Sequence, residues 1–161
     1  MEYTVDNIIS EALELAKIEN YEREVNTRTF EMKITAIARE VVVNKALYDS
    51  LKENIKKYYT TNKKAAFNLF FILFTICRRQ NYGDIVNLAI DAEDDFEEYE
   101  IVKHIKLMAI LDKSSHTATL YKAIKESSKL VELKNDDCDF TTHTGVLNVY
   151  TALICKYFEY Q

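Results

Sequence analysis

The chain has 161 residues, of which 48% are hydrophobic and 29% are charged, and its net charge is −5. A chain of this length and apolarity can bury a core, which argues against disorder. It holds no proline and only two glycines, Gly83 and Gly145. Tight hairpins and phosphate-binding loops depend on these residue types, so a sandwich, a barrel and a nucleotide-binding loop are all disfavoured. The composition predicts an all-α fold.

Apolar residues spaced three and four positions apart predict eight helices. In chain order these are Val5–Ile18, Phe30–Lys45, Ala46–Tyr59, Lys63–Arg79, Tyr82–Asp94, Glu97–Lys113, His116–Leu133 and Thr144–Tyr160. The polar segment Glu19–Thr29 is predicted to contain a loop, and Phe30–Lys45 is expected to meet the next helix in a tight turn. Lys63–Arg79 is apolar nearly all round, so we expect it to be the most buried helix.

Three of these segments resemble one another at a regular spacing. Tyr48–Tyr58, Tyr82–Ala92 and Thr117–Ser127 lie 34 and then 35 residues apart. Their alignment superimposes three sets of residues: Tyr48, Tyr82 and Thr117; Leu51, Ile85 and Leu120; Ile55, Ala89 and Ile124. The preceding helices follow the same period, with Ile37, Ile72 and Leu107 equivalent, and also Val41, Ile76 and Leu111. A period in the mid-thirties is typical of stacked helical hairpins.

One stretch of the chain resembles the tetratricopeptide repeat family. Its apolar skeleton is matched by Ile72, Leu73, Ile76, Tyr82, Ile85, Ala89 and Ala92, and the turn from Gln80 to Asp84 is similar. The resemblance covers roughly residues 30–133 and implies one domain over residues 1–161, a right-handed α-α superhelix (solenoid) of about four helical hairpins. Leu69 replaces the usual tryptophan, Leu73 replaces a small residue and the closing proline is absent. Another helical repeat and an ordinary helical bundle therefore stay open.

The resemblance also implies a groove, lined by the first helix of each hairpin, that binds an extended peptide or a partner's helix. The residues at groove-facing positions are Arg39, Phe70, Phe71, Phe74, Arg78, Lys106 and Lys113. The cations would hold backbone carbonyls or carboxylates, and the phenylalanines would form apolar pockets. The alternative for the phenylalanines between Phe67 and Phe74 is simple burial in the core.

Charge is distributed unevenly along the chain, with a net +2 over residues 1–80 and −7 over residues 81–161. The basic segment 45–79 leaves a nucleic-acid-associated helical module as an alternative, although the acidic total makes nucleic acid an unfavoured partner. The acidic run Glu93–Glu100 leaves an inhibitor that imitates phosphates as another. Solvated helix faces are the plain interpretation of both segments.

The sequence shows no catalytic or cofactor-binding pattern. No histidine pair has metal-ligand spacing on one helix, and Cys138 and His143 among nearby aspartates match no strong template. We therefore expect no enzyme, no cofactor and no metal. The longest apolar run is too short to span a membrane, no leader is evident, and three irregularly spaced cysteines favour a reducing, cytoplasmic setting.

The last predicted helix, Thr144–Tyr160, carries Tyr150, Tyr157, Phe158 and Tyr160 but few charges. It is expected either to pack on another subunit, giving a homo-oligomer, or to fold back on its own chain, with packing on His116–Leu133 as the ordinary case. Together these features predict a non-catalytic protein- or peptide-binding module that acts as an adaptor, regulator or inhibitor.

Overall fold

The structure, a computed structural model, describes residues 3–133 and 143–161, and no β-strand occurs in these residues. Its helices are α1 (Val5–Leu15), α2 (Tyr21–Glu24), α3 (Arg28–Ala38), α4 (Lys45–Tyr59), α5 (Lys63–Gln80), α6 (Ile85–Asp95), α7 (Ile101–Lys113), α8 (Thr117–Leu133) and α9 (His143–Tyr160). The all-α class is confirmed. The short helix α2 lies inside the segment that was predicted to contain a loop.

The chain divides into two compact units. The first comprises Met1–Val25 and Thr29–Ile85, and the second comprises Asn26–Arg28 and Val86–Gln161. In the first unit α4 and α5 form a helical hairpin, and α1 packs against both of them. In the second unit α7, α8 and α9 pack against one another. Each unit thus has a core of its own between at least three helices.

Helix α5 is the centre of the first unit, as its apolarity predicts. Residues 65–74 of this helix are buried without interruption. Asn68, the one amide among them, is fully buried and joins three elements. Its Nδ2 donates to the Ala12 carbonyl of α1 over 2.9 Å, and its Oδ1 accepts from the Tyr21 hydroxyl of α2 over 2.6 Å. These bonds satisfy polar groups that would otherwise destabilise the core.

The turn after α5 stops the helix by backbone geometry. Asn81 ends it with a left-handed φ of 53°, and the amide of Tyr82 donates back to the Cys77 carbonyl over 2.9 Å. Gly83 follows with a φ of 71°. Two left-handed residues so close together cannot continue a helix. Helix α6 therefore begins at Ile85 rather than at the predicted Tyr82.

The prediction of one helix over Phe30–Lys45 with a tight turn after it was wrong. Helix α3 ends at Ala38, and residues 39–44 form a non-helical connection. This connection contains Val41, Val42 and Val43, whose branched side chains disfavour helix. The Gln80 side chain of α5 pairs with its backbone, because Oε1 accepts from the Val43 amide and Nε2 donates to the Val41 carbonyl over 2.9 and 2.7 Å.

Helix α7 also begins later than predicted, at Ile101 instead of Glu97. Before it, the rings of Phe96 and Tyr99 are buried and stack with their centroids 6.4 Å apart. The first amide of α7, that of Ile101, donates to the side-chain oxygen of Asn26 over 2.9 Å. This cap, contributed from far upstream in the sequence, explains why Asn26–Arg28 belongs to the second unit.

The period read from the sequence has a counterpart in burial. The three equivalent residues Leu51, Ile85 and Leu120 are almost inaccessible to solvent. Their equivalents one turn earlier, Tyr48, Tyr82 and Thr117, are all half-buried. In the preceding helices, the equivalent set of Ile37, Ile72 and Leu107 is buried. Three of the equivalent sets therefore share an environment, whereas Ala89 is buried where its equivalents Ile55 and Ile124 are half-buried, and Leu111 is half-buried where Val41 and Ile76 are buried.

Candidate protein-binding surface

Helices α8 and α9 of the second unit carry a cluster of exposed aromatic side chains. Tyr121 on α8 is 50% exposed, and Phe158 and Tyr160 on α9 are 66% and 49% exposed. Tyr157, which directly precedes Phe158 on α9, is half-buried. We call these four residues the aromatic face. Aromatic rings bury large areas when they bind, so their exposure in one place marks a contact surface rather than scattered surface hydrophobes.

Three rings of the aromatic face, those of Tyr121, Tyr157 and Phe158, contact one another. Tyr157 lies between two of them, with its centroid 5.9 Å from that of Tyr121 and 5.5 Å from that of Phe158. The Tyr157–Phe158 pair is edge-to-face, at 76° between the ring planes. The ammonium of Lys125 lies 4.8 Å from the centroid of Tyr121, which places a cation over an exposed ring. The face therefore offers apolar area with a positive charge at one edge.

The packing of α9 explains why these rings lie together. Its inward residues Val146, Val149 and Leu153 are buried, and they follow helical spacing along one side. Near the end of the helix, the Lys156 ammonium donates to the Leu111 carbonyl of α7 over 2.6 Å. This bond fixes the last turn of α9 and leaves Phe158 directed outward. Helix α9 packs on α8, the ordinary arrangement expected for it, and the predicted homo-oligomer stays a prediction.

The three phenylalanines predicted to line a groove lie elsewhere. Phe70, Phe71 and Phe74 are at most 2% exposed and belong to the core of the first unit. Phe70 contacts Phe74, and Phe71 contacts Phe30 of α3, with centroids 6.1 and 6.3 Å apart. The alternative for these rings, burial in the core, is the arrangement found. The reason is that α1 and α4 pack against α5 and that Phe30 of α3 contacts Phe71, which leaves these rings no exposed side.

The four predicted cations divide into two groups. Arg39, Arg78 and Lys113 are exposed, the first in the connection after α3 and the others at the ends of α5 and α7. Lys106, by contrast, is 9% exposed. A buried lysine needs partners inside the protein, so Lys106 serves the structure and is not displayed to a ligand.

Lys106 is held between two carboxylates of the second unit. Its ammonium lies 2.8 Å from a Glu93 carboxylate oxygen and 2.7 Å from one of Glu126. Burial acts to lower the pKa of Lys106, but the hydrogen bonds and charges of Glu126 and Glu93 together outweigh it and raise the pKa. The lysine is therefore a charged link between α6, α7 and α8.

The basic segment 45–79 and the acidic run Glu93–Glu100 suggested nucleic-acid binding and phosphate mimicry. Some of the charges in each segment form ion pairs within the same unit. In the basic segment, Lys45 pairs with Asp49 over 2.6 Å and Lys64 with Glu22 over 3.4 Å. The acidic run is anchored by its buried aromatics, and its Glu93 is held by Lys106. Both segments thus contain charges that stabilise helices as well as charges exposed to solvent.

The described part of the chain contains neither a cluster of metal-binding side chains nor a helix able to span a membrane. Residues 3–133 and 143–161 contain no group of three histidine, cysteine, aspartate or glutamate side chains placed to hold a metal. The candidate built on Cys138 and the neighbouring aspartates lies outside the described residues. Among the described helices, none combines the length and apolarity needed to cross a bilayer.

Sequence reasoning found one half of the aromatic face and missed the other. The aromatics of α9 were identified by their number and the scarcity of charge. Tyr121 and Lys125 were not, since they lie outside the repeated apolar positions. The available signal was weak: Tyr121 follows Leu120 directly, and so it lies about 100° around the helix from that buried residue.

Comparison of the chain with models of known protein families, with curated proteins and with solved structures finds no match.

Proposed function

We propose that this protein is a non-catalytic protein-binding module, an adaptor or regulator, and that the aromatic face is its principal contact surface. The observation behind this proposal is the exposure of Tyr121 and Phe158 on either side of Tyr157, with the exposed Tyr160 two residues further along the same helix. Tyrosine and phenylalanine are enriched where binding energy concentrates in interfaces. The free thiols of Cys77 and Cys155 suit a reducing compartment such as the cytoplasm.

The packing of α8 and α9 beneath the aromatic face supports a role in recognition. Its rings are positioned by two packed helices and by the bond from Lys156 to Leu111, so little conformational entropy is lost when a partner binds. Lys125 adds a cation at the edge, which favours a partner that combines apolar side chains with a carboxylate.

The proposal includes a repeat architecture of the tetratricopeptide-like kind, with about four helical hairpins in a right-handed superhelix. Two observations support it: the equivalent residues Leu51, Ile85 and Leu120 are all buried, and α7 packs against α8, the helix that follows it, as in a helical hairpin. Arg39, Arg78 and Lys113 are exposed cations that suit contacts to acidic groups. We retain these three residues, and not the buried phenylalanines, as candidates for partner binding.

A photo-crosslinking experiment tests the proposed function. A benzophenone amino acid replaces Phe158 in the full chain, and covalent adducts are identified after irradiation in cell extract. A matched control carries the same group in place of Met32, an exposed apolar residue of α3 in the first unit. We expect a discrete protein adduct from position 158 that position 32 does not give.

Truncating the face should weaken binding of the captured protein. The double variant Tyr121→Ala, Phe158→Ala is expected to lower affinity about 30-fold or more, which corresponds to roughly 2 kcal/mol for the loss of central aromatic contacts. Met32→Ala should leave the affinity unchanged. The absence of any adduct specific to position 158, or equal binding by both variants, would contradict the proposal.

A further inference from the structure

Helix α4 and the first turn of α5 carry a line of lysines and tyrosines on the surface of the first unit. We call it the lysine–tyrosine stripe, and its members are Tyr48, Lys52, Lys56, Tyr59 and Lys63. Along α4 they recur at intervals of four, four and three residues, which places them on one side of the helix. Lys52 and Lys56 are exposed, and the other three are half-buried. From Tyr48 to Tyr59 the stripe is about 17 Å long.

Contacts within the stripe place each tyrosine ring beside an ammonium group. The Lys52 ammonium lies 5.6 Å from the ring centroid of Tyr48, and the Lys63 ammonium lies 5.0 Å from that of Tyr59. The second contact also joins the start of α5 to the end of α4. The Tyr48 ring contacts that of Tyr82 as well, with centroids 5.6 Å apart. Rings and cations therefore share one surface of the hairpin.

The stripe lies in the most basic part of an acidic chain. Residues 54–83 contain six basic side chains and no acidic one, although the whole chain has a net charge of −5. Helix α4 itself has two acids, Asp49, which is neutralised by an ion pair over 2.6 Å, and the exposed Glu53. Neither Lys52 nor Lys56 forms an ion pair with another of the residues that the structure describes. Their charges are therefore available to an anion outside the protein.

Stabilisation of helix ends accounts for only part of this positive charge. Lys56 and Lys57 lie in the last turn of α4, where a cation favours the helix. Lys52 lies in the middle of α4 and gains nothing from either end. Lys63 lies in the first turn of α5, where a cation opposes the helix dipole and where the turn contains no acidic residue. A bound anion would offset that unfavourable charge.

We propose that the lysine–tyrosine stripe binds a single-stranded nucleic acid, with its phosphates on the lysines and its bases against the tyrosines. Ammonium groups that bind phosphates and rings that accept any base are the two components of sequence-tolerant single-strand binding. At a rise of about 3.4 Å per nucleotide, the part of the stripe on α4 spans about five nucleotides. The inference is independent of the proposed function, because no residue of the aromatic face takes part.

The surroundings of the stripe favour nucleic acid over the two other anionic partners, an acidic protein and an anionic membrane. Protein interfaces and membrane-bound helices both use large exposed apolar side chains as anchors. In the described part of the chain these side chains are Met32, Val42, Ile90, Tyr121, Phe158 and Tyr160. None of them lies on α4, on α5 or in the turn between these helices. A nucleic acid needs no such anchor, because phosphates supply the affinity and bases stack on rings.

The tyrosines favour a single strand over a duplex. In a duplex each base is stacked between its neighbours, so its face is closed to a protein ring unless the base is extruded. The bases of a single strand can lie against Tyr48 and Tyr59 directly.

Fluorescence anisotropy tests the proposal on the purified full chain. The probes are labelled oligo-uridine and oligo-thymidine of about 12 nucleotides, compared with a duplex of the same length. We expect the single strands to bind with a dissociation constant of about 1 to 100 μM at physiological salt, and more weakly as salt is added. Binding of only one of the two strands would support the proposal and would show whether RNA or DNA is preferred.

Two pairs of lysine substitutions test the role of charge. The double variant Lys52→Gln, Lys56→Gln should lower the affinity about tenfold and reduce the slope of log affinity against log salt by about 1.4, since two phosphate contacts are lost. The matched control is Lys17→Gln, Lys33→Gln, which removes the same charge from two exposed lysines of the first unit. This control should leave the affinity and the slope nearly unchanged.

A pair of tyrosine substitutions tests the role of stacking. Tyr59→Leu keeps an apolar side chain but removes the ring, so it should weaken binding about tenfold. Tyr59→Phe keeps the ring and should retain the affinity. Circular dichroism confirms that each variant is folded.

Four outcomes would overturn the inference. They are a wild type that binds neither strand at several times 100 μM, equal weakening by the two lysine pairs, full affinity in Tyr59→Leu, and tighter binding of the duplex than of the single strands. Vesicles that contain phosphatidylserine provide the comparison with a membrane. A protein that sediments with these vesicles but binds no oligonucleotide would assign the stripe to a membrane surface instead.

Discussion

The role of Lys106 could not be predicted from its position in the sequence, because it depends on the residues that pack around it. A lysine on the first helix of a predicted hairpin suggested a cation displayed to a partner. The structure instead encloses it between Glu93 and Glu126. No property of residue 106 alone distinguishes the two roles, because they depend on side chains 13 and 20 positions away in sequence. Partner residues that distant cannot be assigned without the packing of α6 and α8.

Replacing this lysine should cost stability. Lys106→Met removes two charge-assisted hydrogen bonds and leaves two carboxylates facing each other, each about one third exposed. We expect the free energy of unfolding to fall by about 2 kcal/mol, less than for a fully buried pair because solvent screens the carboxylates. Urea denaturation measures the loss, and Glu126→Gln, which keeps an acceptor oxygen, should cost less.

A structural role for Lys106 also has a pH signature. Because its pKa is raised in the folded state, the stability contributed by this lysine is complete below its ordinary pKa of 10.5 and is lost as pH rises through the folded value. A Lys106→Met variant as stable as the wild type, but deficient in binding the captured protein, would instead assign the lysine to the partner.

Among the elements, the connection between α3 and α4 shows a limit of periodicity. Val41 fits the apolar pattern of the preceding helix and is buried, so the pattern continues after the helix has ended. Apolar spacing cannot distinguish a buried residue in a helix from one in an extended segment entering the same core. The branched run Val41–Val43 was the local evidence for the helix end, and Asn44, which caps α4, was the second.

Gln80 should control the order of this connection. Gln80→Ala removes both bonds to the backbone of Val41 and Val43. We expect the amide hydrogen of Val43 to exchange about tenfold faster, with a loss of roughly 1 kcal/mol of stability. Hydrogen exchange followed by NMR measures this effect.

The matched controls for Gln80 lie at the same position and next to it. Gln80→Glu keeps an acceptor for the Val43 amide but no donor for the Val41 carbonyl, so Val43 should retain most of its protection. Arg79→Ala changes an exposed neighbour and should leave exchange unchanged. Unaltered Val43 exchange in Gln80→Ala would show that the valine side chains alone hold the connection.

At the scale of the whole molecule, composition and periodicity predicted the helical class and the positions of most helices. The burial of Leu51, Ile85 and Leu120 also follows from their common place in the repeat. The division into two units does not, because it depends on contacts such as that of Asn26 with Ile101, which join residues 75 apart. An alignment of repeats compares short segments of sequence, so it does not predict contacts between residues that are far apart in the chain.

Alkaline destabilisation should follow from a buried thiol. Burial raises the pKa of Cys77 from its ordinary 9.0 to about 11. Between these values the unfolded chain loses the thiol proton while the folded chain keeps it, so stability falls as pH rises from 9.0 towards 11. This group should contribute a decrease on the order of 2 kcal/mol.

The comparison that isolates this effect is with Cys77→Ala. The variant should be less stable at neutral pH, because it leaves a cavity, but its stability should fall less steeply above pH 9.0. Urea denaturation at several pH values measures both quantities. If the free energies of unfolding of the wild type and Cys77→Ala fall in parallel from neutral to alkaline pH, the pKa of Cys77 is not raised by burial.

The exposed connection of residues 39–44 has a consequence for handling the protein. It begins with an exposed basic side chain, Arg39, and its Val42 is 78% exposed, although Gln80 holds the backbone of Val41 and Val43. Trypsin-like proteases accept such segments. A cut there would leave the amino-terminal fragment attached, because Phe30 still contacts Phe71 and Asn68 still binds Ala12. A nicked preparation would thus pass as intact by gel filtration and separate into two pieces only under denaturing conditions.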